Sequence, residues 1–323
     1  MPGSSTTAAP FAGLRVALVA KFNRRYHHTG YGLAGGLRGL GCEVVPVELR
    51  TRGLDRVLRR TLPARLGAAL AAHRPAVVLV FKGAELAPEA IAELRPVCPA
   101  LWLNWFPDPA DLLDLSLRLG AAYDGCFLFD SYMVDRHRSL GRRAEFLALG
   151  FDPEFHRPPP AHSDGTIPIV FVGSREPFRE LALAALADLG LQVWGPDRPR
   201  GPLYGDDLVR AFSRAEVALN IHRFFGEAPE LERYGTGANQ RVFELAAIGT
   251  AQLCDAKADI GRCFVEDQEI VLYQSLDELR AKAKALLQAP QWRASLARRA
   301  RARALREHTW RHRLEELLTV SLR

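Results

Sequence analysis

Lysine is almost missing from this chain of 323 residues: of 43 basic side chains only Lys21, Lys82, Lys257, Lys282 and Lys284 are lysines. The rest are arginine, a bias that GC-rich coding explains without any function. Against 37 acidic residues the net charge is only +6, too mild to mark a nucleic-acid binder. No apolar run approaches the 18 to 20 residues that a membrane-spanning helix needs. Met1 to Pro10 is rich in Ser, Thr and Ala but has no basic stretch leading into a long apolar one, so residues 1–11 read as a flexible tail and not a secretory leader. A cytoplasmic protein is expected. The five cysteines, Cys42, Cys98, Cys126, Cys254 and Cys263, are scattered and form no C-x-x-C pair, which argues against a disulfide framework and a zinc site. There is no Walker sequence, which weighs against a P-loop nucleotidase.

What is present is an alternation. Short, almost wholly apolar runs such as LRVALVA (Leu14–Ala20), AVVLVF (Ala76–Phe81), ALWLNW (Ala100–Trp105) and GCFLF (Gly125–Phe129) are separated by amphipathic stretches of helical length. Strands apolar on both faces belong to parallel sheets covered on both sides by helices. Residues 12–155 therefore predict one doubly wound α/β domain. The proline-rich stretch at 156–166 predicts a linker. From Ile167 the alternation resumes with IPIVFVGS, LQVWG, VALNI, AQLC and EIVLY, predicting a second Rossmann-like domain over 167–300. The segment 301–323 is expected to be a helix packing back on the first domain. Two such domains face a cleft, and ligands gather at the carboxyl ends of the strands.

Two places along the second domain carry chemistry. In VFVGSRE, Gly173 and Ser174 end an apolar strand just before a helix, where a backbone can approach a phosphate and free N–H groups await it. The bland alternative is an ordinary strand-to-helix turn. The denser constellation runs from Leu219 to Asp255: a strand ending at Asn220 and His222, a glycine-rich loop, then Asn239, Arg241 and Glu244 opening an apolar helix. Asn239 alone is explained as a helix cap. Arg241 and Glu244 sit three apart and share one helical face. An arginine can hold a phosphate, and a carboxylate can accept both hydroxyls of a ribose. Together they suit a sugar nucleotide, although a surface Arg–Glu pair is the plainer reading.

The run NQRVFELAAIGTAQLCD, with VALNIH before it and VEDQEIVLYQSLDELRAKAKALL after it, resembles the C-terminal domain of the CgeB-like, spore maturation type of glycosyltransferase, within the broad GT-B set of family-1-like and family-4-like enzymes. The likeness covers about Ile167 to Leu318 well and the first half more loosely, through YGLAGGLRGLGCEV, WFPDP and YDGCFLFDSYMVDRHRSLG. It implies a GT-B fold and a nucleotide-diphosphate-sugar donor held by the C-terminal domain: Glu244 on the ribose, Asn239 and Arg241 toward the diphosphate, Gly173 and Ser174 against the phosphates. The lysine that often accompanies such an arginine has no counterpart, so Arg175 or Arg223 is expected to supply the second charge. The sequence departs from the pattern at Thr236, where many family-4-like enzymes carry a glutamate eight positions before the second one. That departure keeps open a non-catalytic nucleotide- or sugar-binding protein of a surface or spore layer.

On the first domain, His27, His28, Tyr31 and Gly32 follow the first strand and are candidates to meet the acceptor, a saccharide, protein or small molecule. A solvated loop is the plainer reading of each histidine. Asp108, in NWFPDP, is the candidate base for an acceptor hydroxyl in an inverting transfer, or simply a helix start. No D-x-D is present, so no metal and no cofactor are expected, the leaving diphosphate being met by arginine and helix N–H groups. Arg50 to Leu66 and the terminal arginines from Arg293 to Arg313 are readable as solvated helix faces or as basic surfaces for peripheral membrane contact.

Overall fold

The computed structural model describes residues 9–23, 29–50, 61–159, 165–223 and 235–323. Strands β1 (Arg15–Ala20), β2 (Glu43–Glu48), β3 (Val77–Phe81), β4 (Leu101–Phe106), β5 (Gly125–Leu128) and β6 (Ala144–Phe146) form a parallel sheet of order β2-β1-β3-β4-β5-β6. Val16 is flanked by Val44 on one side and Val77 on the other. Strands β7 (Ile167–Val172), β8 (Leu191–Trp194), β9 (Ala215–Asn220), β10 (Gln252–Asp255) and β11 (Val271–Tyr273) form a second parallel sheet of order β11-β10-β9-β7-β8. These are the two doubly wound α/β domains that the strand pattern predicts. Val16 to Val19 and Val77 to Val80 are buried throughout because helices cover both faces of the sheet. Strand order reverses between β1 and β3 in one sheet and between β7 and β9 in the other. The carboxyl ends of those four strands are the crevices in which such sheets bind ligands.

Five helices start where the sequence supplies a side-chain cap. Thr61, Asp130, Asn239, Ser275 and Thr309 each accept a backbone N–H in the first turn of the helix that follows. The second amphipathic stretch of the first domain is helical over Leu62–His73; the preceding residues 51–60 lie outside the described segments, and so does most of the arginine-rich run from Arg50 to Leu66. The end of the chain is not one helix but two, Pro290–Glu307 and Trp310–Ser321, because Thr309 and His312 close a reciprocal cap that starts a new helix.

The helix Trp310–Ser321 lies on the first domain, against the helix Thr29–Gly39. Trp310 N–H donates to the Phe151 carbonyl at 3.0 Å, and Arg313 Nε to the Leu149 carbonyl at 3.1 Å. The Trp310 ring meets Trp105 edge-on at 5.5 Å and Phe81 at 6.2 Å. Gly32 makes this possible, since a Cβ there would stand 2.5 Å from the Trp310 ring. Several terminal arginines are ties and not a solvated face. Arg293 pairs with Glu216 at 2.7 Å, Arg301 donates to the Ala247 carbonyl, and Arg303 reaches Glu269 at 3.1 Å. Among the described residues no helix is long and apolar enough to cross a membrane.

Candidate active site

Two adjoining cavities open between the sheets. The smaller, about 210 Å³, is walled by Gly173, Gly195, Leu203, Tyr204, Arg241 and Glu244, with Phe155 and His156 from the connector between the domains. The larger, about 480 Å³, is walled by Lys21, Lys82, Asp108 and Phe129 of the first domain and Arg179, His222, Arg223 and Asn239 of the second. Thr29 and Gln240 line both. Thr29 opens the helix Thr29–Gly39 and Gln240 opens the helix Gln240–Ile248. Two helix N-termini, one from each domain, thus meet where the cavities join, and each brings a partial positive charge suited to an anion.

Glu244 stands on the wall of the smaller cavity. Gln240 Nε2 donates to its Oε1 at 2.8 Å, Arg241 lies 3.4 Å from its Oε2, and His156 Nε2 lies 3.5 Å away. Burial opposes ionisation of this carboxyl, but Arg241, His156 and Gln240 prevail and hold it down at about 2. His156 is a residue that the sequence reading passed over as part of a linker; the connector turns back through Asp152, whose carbonyl bonds the ring, and delivers the imidazole to Glu244. The Arg241 guanidinium lies over the Phe212 ring at 5.2 Å and lines the smaller cavity with Glu244.

The N-terminus of the helix Gln240–Ile248 is fixed by a buried polar frame. Asn239 and Asn220 exchange side-chain amide bonds at 3.1 Å, Asn220 also donates to Gln252, and Asn239 Oδ1 caps Val242 N–H. The His222 ring accepts from Asn239 N–H through Nε2 at 3.0 Å and meets Asp255 through Nδ1 at 2.7 Å. The side chains of Asn220 and Asn239 are therefore engaged with one another, and they bear on the cleft by holding the helix in place. His222, Cys254 and Asp255 place ligand-type atoms within 4.8 Å of one another. Both ring nitrogens of His222 are committed, and burial keeps the Cys254 thiol protonated by pushing it well above its ordinary value. The trio reads as a hydrogen-bonded support and does not fit a metal-ligand set.

Of the two arginines expected to supply the second charge, Arg223 lines the larger cavity and Arg175 does not. Arg175 turns outward, donating to the Asp197 carbonyl at 2.8 Å with a side chain 54% exposed, and lines neither cavity. Arg179, one turn into the next helix, takes the inward place. It donates to the Ile221 carbonyl and to Ser174 Oγ, and it lines the larger cavity. Arg223 lies near Asp111 at 3.6 Å and Glu176 at 3.4 Å, bridging the domains. On the first domain, Asp108 lines the larger cavity, paired with Lys82 at 2.8 Å. Tyr31 is exposed and meets Phe22 edge-on, and Gly32 packs on Trp310, so neither faces the two cavities. His27 and His28 lie outside the described residues.

Thr236 has a definite place. Its N–H and that of Gly237 donate to Asp130 Oδ2 at 2.9 and 3.0 Å, and its hydroxyl donates to Oδ1 at 3.0 Å while accepting from Tyr132 N–H. Ser131 N–H donates to Asp259 at 2.8 Å. This is a clasp between the domains beside the larger cavity. Gly237 is required in it, because a Cβ there would press on the Phe129 ring at 2.6 Å.

A family model described as glycosyl transferase-like matches residues 175–319. No curated protein sequence matches the chain. Among solved structures, sucrose-phosphate synthase from Thermosynechococcus elongatus superposes with a TM-score of 0.67 at 13% identity, over 95% of this chain and 98% of that one. HepE of Anabaena, in complex with UDP and glucose, gives 0.61 at 12% identity, over 95% and 100%. AviGT4, a glycosyltransferase involved in avilamycin A biosynthesis, gives 0.64 at 15% identity, over 96% and 97%. The fold of the whole chain is thus that of the two-domain GT-B glycosyltransferases, and its C-terminal half carries a glycosyl transferase-like sequence signature.

Proposed function

We propose that this protein transfers a sugar from a nucleotide-diphosphate donor to an acceptor hydroxyl. One observation carries the reading: two cavities, one nucleoside-sized and one larger, join where helix N-termini from both domains converge. A nucleoside in the smaller cavity places its ribose against Glu244, which Arg241 and His156 keep ionised. The diphosphate then falls at the junction, against Gln240 and Thr29 at the helix ends, with Arg179 and Arg223 nearby. The sugar enters the larger cavity beside Asp108. In an inverting course the acceptor oxygen bonds to the anomeric carbon and its proton passes to Asp108. The bond from that carbon to the diphosphate breaks, and the diphosphate leaves with the electron pair, stabilised by arginine and N–H groups already in place. The proposal calls for no metal. HepE, a protein of the same fold, is seen with UDP and glucose, which supports the donor class. The closer kinship with CgeB-like enzymes, read from the Asn-x-Arg-x-x-Glu run, belongs to the same proposal.

The test is calorimetric or thermal-shift titration with UDP, GDP, dTDP, ADP and CDP, then release of free sugar from the matching nucleotide-sugar with water or added acceptors. One nucleotide should bind, and Glu244→Ala should weaken it without unfolding the protein. Tight nucleotide binding with no turnover of any donor would favour the non-catalytic reading instead.

A further inference from the structure

Lys82 follows β3 at the point where strand order reverses, and its backbone is left-handed, with φ of 68°. A residue with a side chain adopts that conformation at a cost, and glycine adopts it freely. The turn is nevertheless built with care. Buried Asn104 donates its amide to the carbonyls of Val80 and Lys82, each at 3.1 Å, and Lys82 N–H donates to the Trp105 carbonyl at 2.8 Å. The result is an ammonium on the wall of the larger cavity, 2.9 Å from Asp108 Oδ1 and 2.8 Å from Oδ2. Among the described residues Asp108 is the only partner of that ammonium. The lysine is also unusual for this chain: Lys21 and Lys82, two of only five lysines, stand just after β1 and β3 and line the same cavity. Strain at a cleft, a buried side chain holding it, and a charge aimed at the candidate base are together what a functional position shows and a structural one does not need.

We infer that Lys82 is a positioning residue for glycosyl transfer, acting through Asp108. It fixes the carboxylate in the orientation that receives the acceptor hydroxyl. The inference rests on the inverting course of the transfer reading above.

The experiment compares wild type, Lys82→Gly, Lys82→Arg, Asp108→Asn and the double variant Lys82→Gly/Asp108→Asn. It measures melting temperature, nucleotide affinity and turnover of the donor that binds, with water and with acceptors. Lys82→Gly relieves the left-handed strain, so its melting temperature should match or exceed that of wild type. Its nucleotide affinity should stay within about twofold, while kcat falls roughly tenfold or more. Lys82→Arg, which keeps the charge, should recover part of the loss. The double variant should be no slower than Asp108→Asn, because both changes remove one unit of function. A melting temperature lowered by about 5 °C or more in Lys82→Gly would make the lysine structural and overturn the inference. Unchanged kcat in a stable Lys82→Gly would overturn it too, and so would losses that add fully in the double variant. A wild type that binds nucleotide but turns nothing over removes the transfer reading itself, and the inference falls with it.

Discussion

The two cavities meet at one junction but are built on opposite plans. The smaller is walled almost wholly by the second domain and the connector, and its polar groups hold one another: Glu244 is gripped by Gln240, Arg241 and His156 before any ligand arrives. The larger is walled by both domains, and its charges come as pairs that a ligand can enter, Lys82 with Asp108 and Arg223 with Asp111. A pre-organised wall loses little freedom on binding and favours one ligand; a wall assembled from two bodies depends on how they are held together. In the proposed transfer, the donor nucleotide takes the first kind of cavity and the acceptor the second.

Of the substitutions, breaking the clasp should have the largest effect. Asp130→Ala strips the partner from the N–H groups of Thr236, Gly237 and Met133 and from the Thr236 hydroxyl. A loss of about 3 kcal/mol in urea unfolding is expected. Next comes Glu244→Ala, which should weaken nucleotide binding by about 2 kcal/mol, roughly thirtyfold by calorimetry, with little change in fold. Arg179→Ala should cost about tenfold in nucleotide affinity, whereas Arg175→Ala should change it by less than about twofold; equal effects would show that the inward and outward arginines had been assigned wrongly.

A further set of effects concerns pH. Burial and then Arg142 hold the His137 imidazole down at about 4, and burial and then Arg313 do the same to His308. The unfolded chain takes up those protons near pH 6.5 and the folded one only near 4, so stability should rise with pH across that window and the urea midpoint should fall on acidification. Glu244, held at about 2 when folded against an ordinary 4.5, adds stability that is complete above 4.5 and lost as pH falls toward 2. For the same reason nucleotide-sugar affinity should show no step from Glu244 between about pH 5 and 8.

The fold was legible because parallel strands buried on both faces must be apolar nearly throughout, as RVALVA and VVLVF are. Glu244 and Arg241 were legible because helical spacing places them on one face. Arg179 was not: choosing it over Arg175 requires knowing which way a helix of eight residues turns its first side chains. His156 was hidden because a proline-rich segment reads as a spacer, and only the folded connector shows where its imidazole goes. The clasp was hidden for another reason. Asp130 and Thr236 are 106 residues apart, and no local pattern announces a pair that meets only when two domains close on each other. Likewise the terminal arginines look solvated in a linear sequence, since their partners Glu216, Ala247 and Glu269 lie on other elements.

The helix Trp310–Ser321 has a consequence for the order of events during synthesis. Arg313 closes onto Leu149 across 164 residues, and the Trp310 ring completes a wall that Trp105 and Phe81 begin. While the chain emerges from the ribosome, that aromatic wall stays uncovered until the second domain has been made in full. The first domain to be translated is thus the last to be sealed, and a ribosome stalled before residue 310 would present its Trp105 face to chaperones.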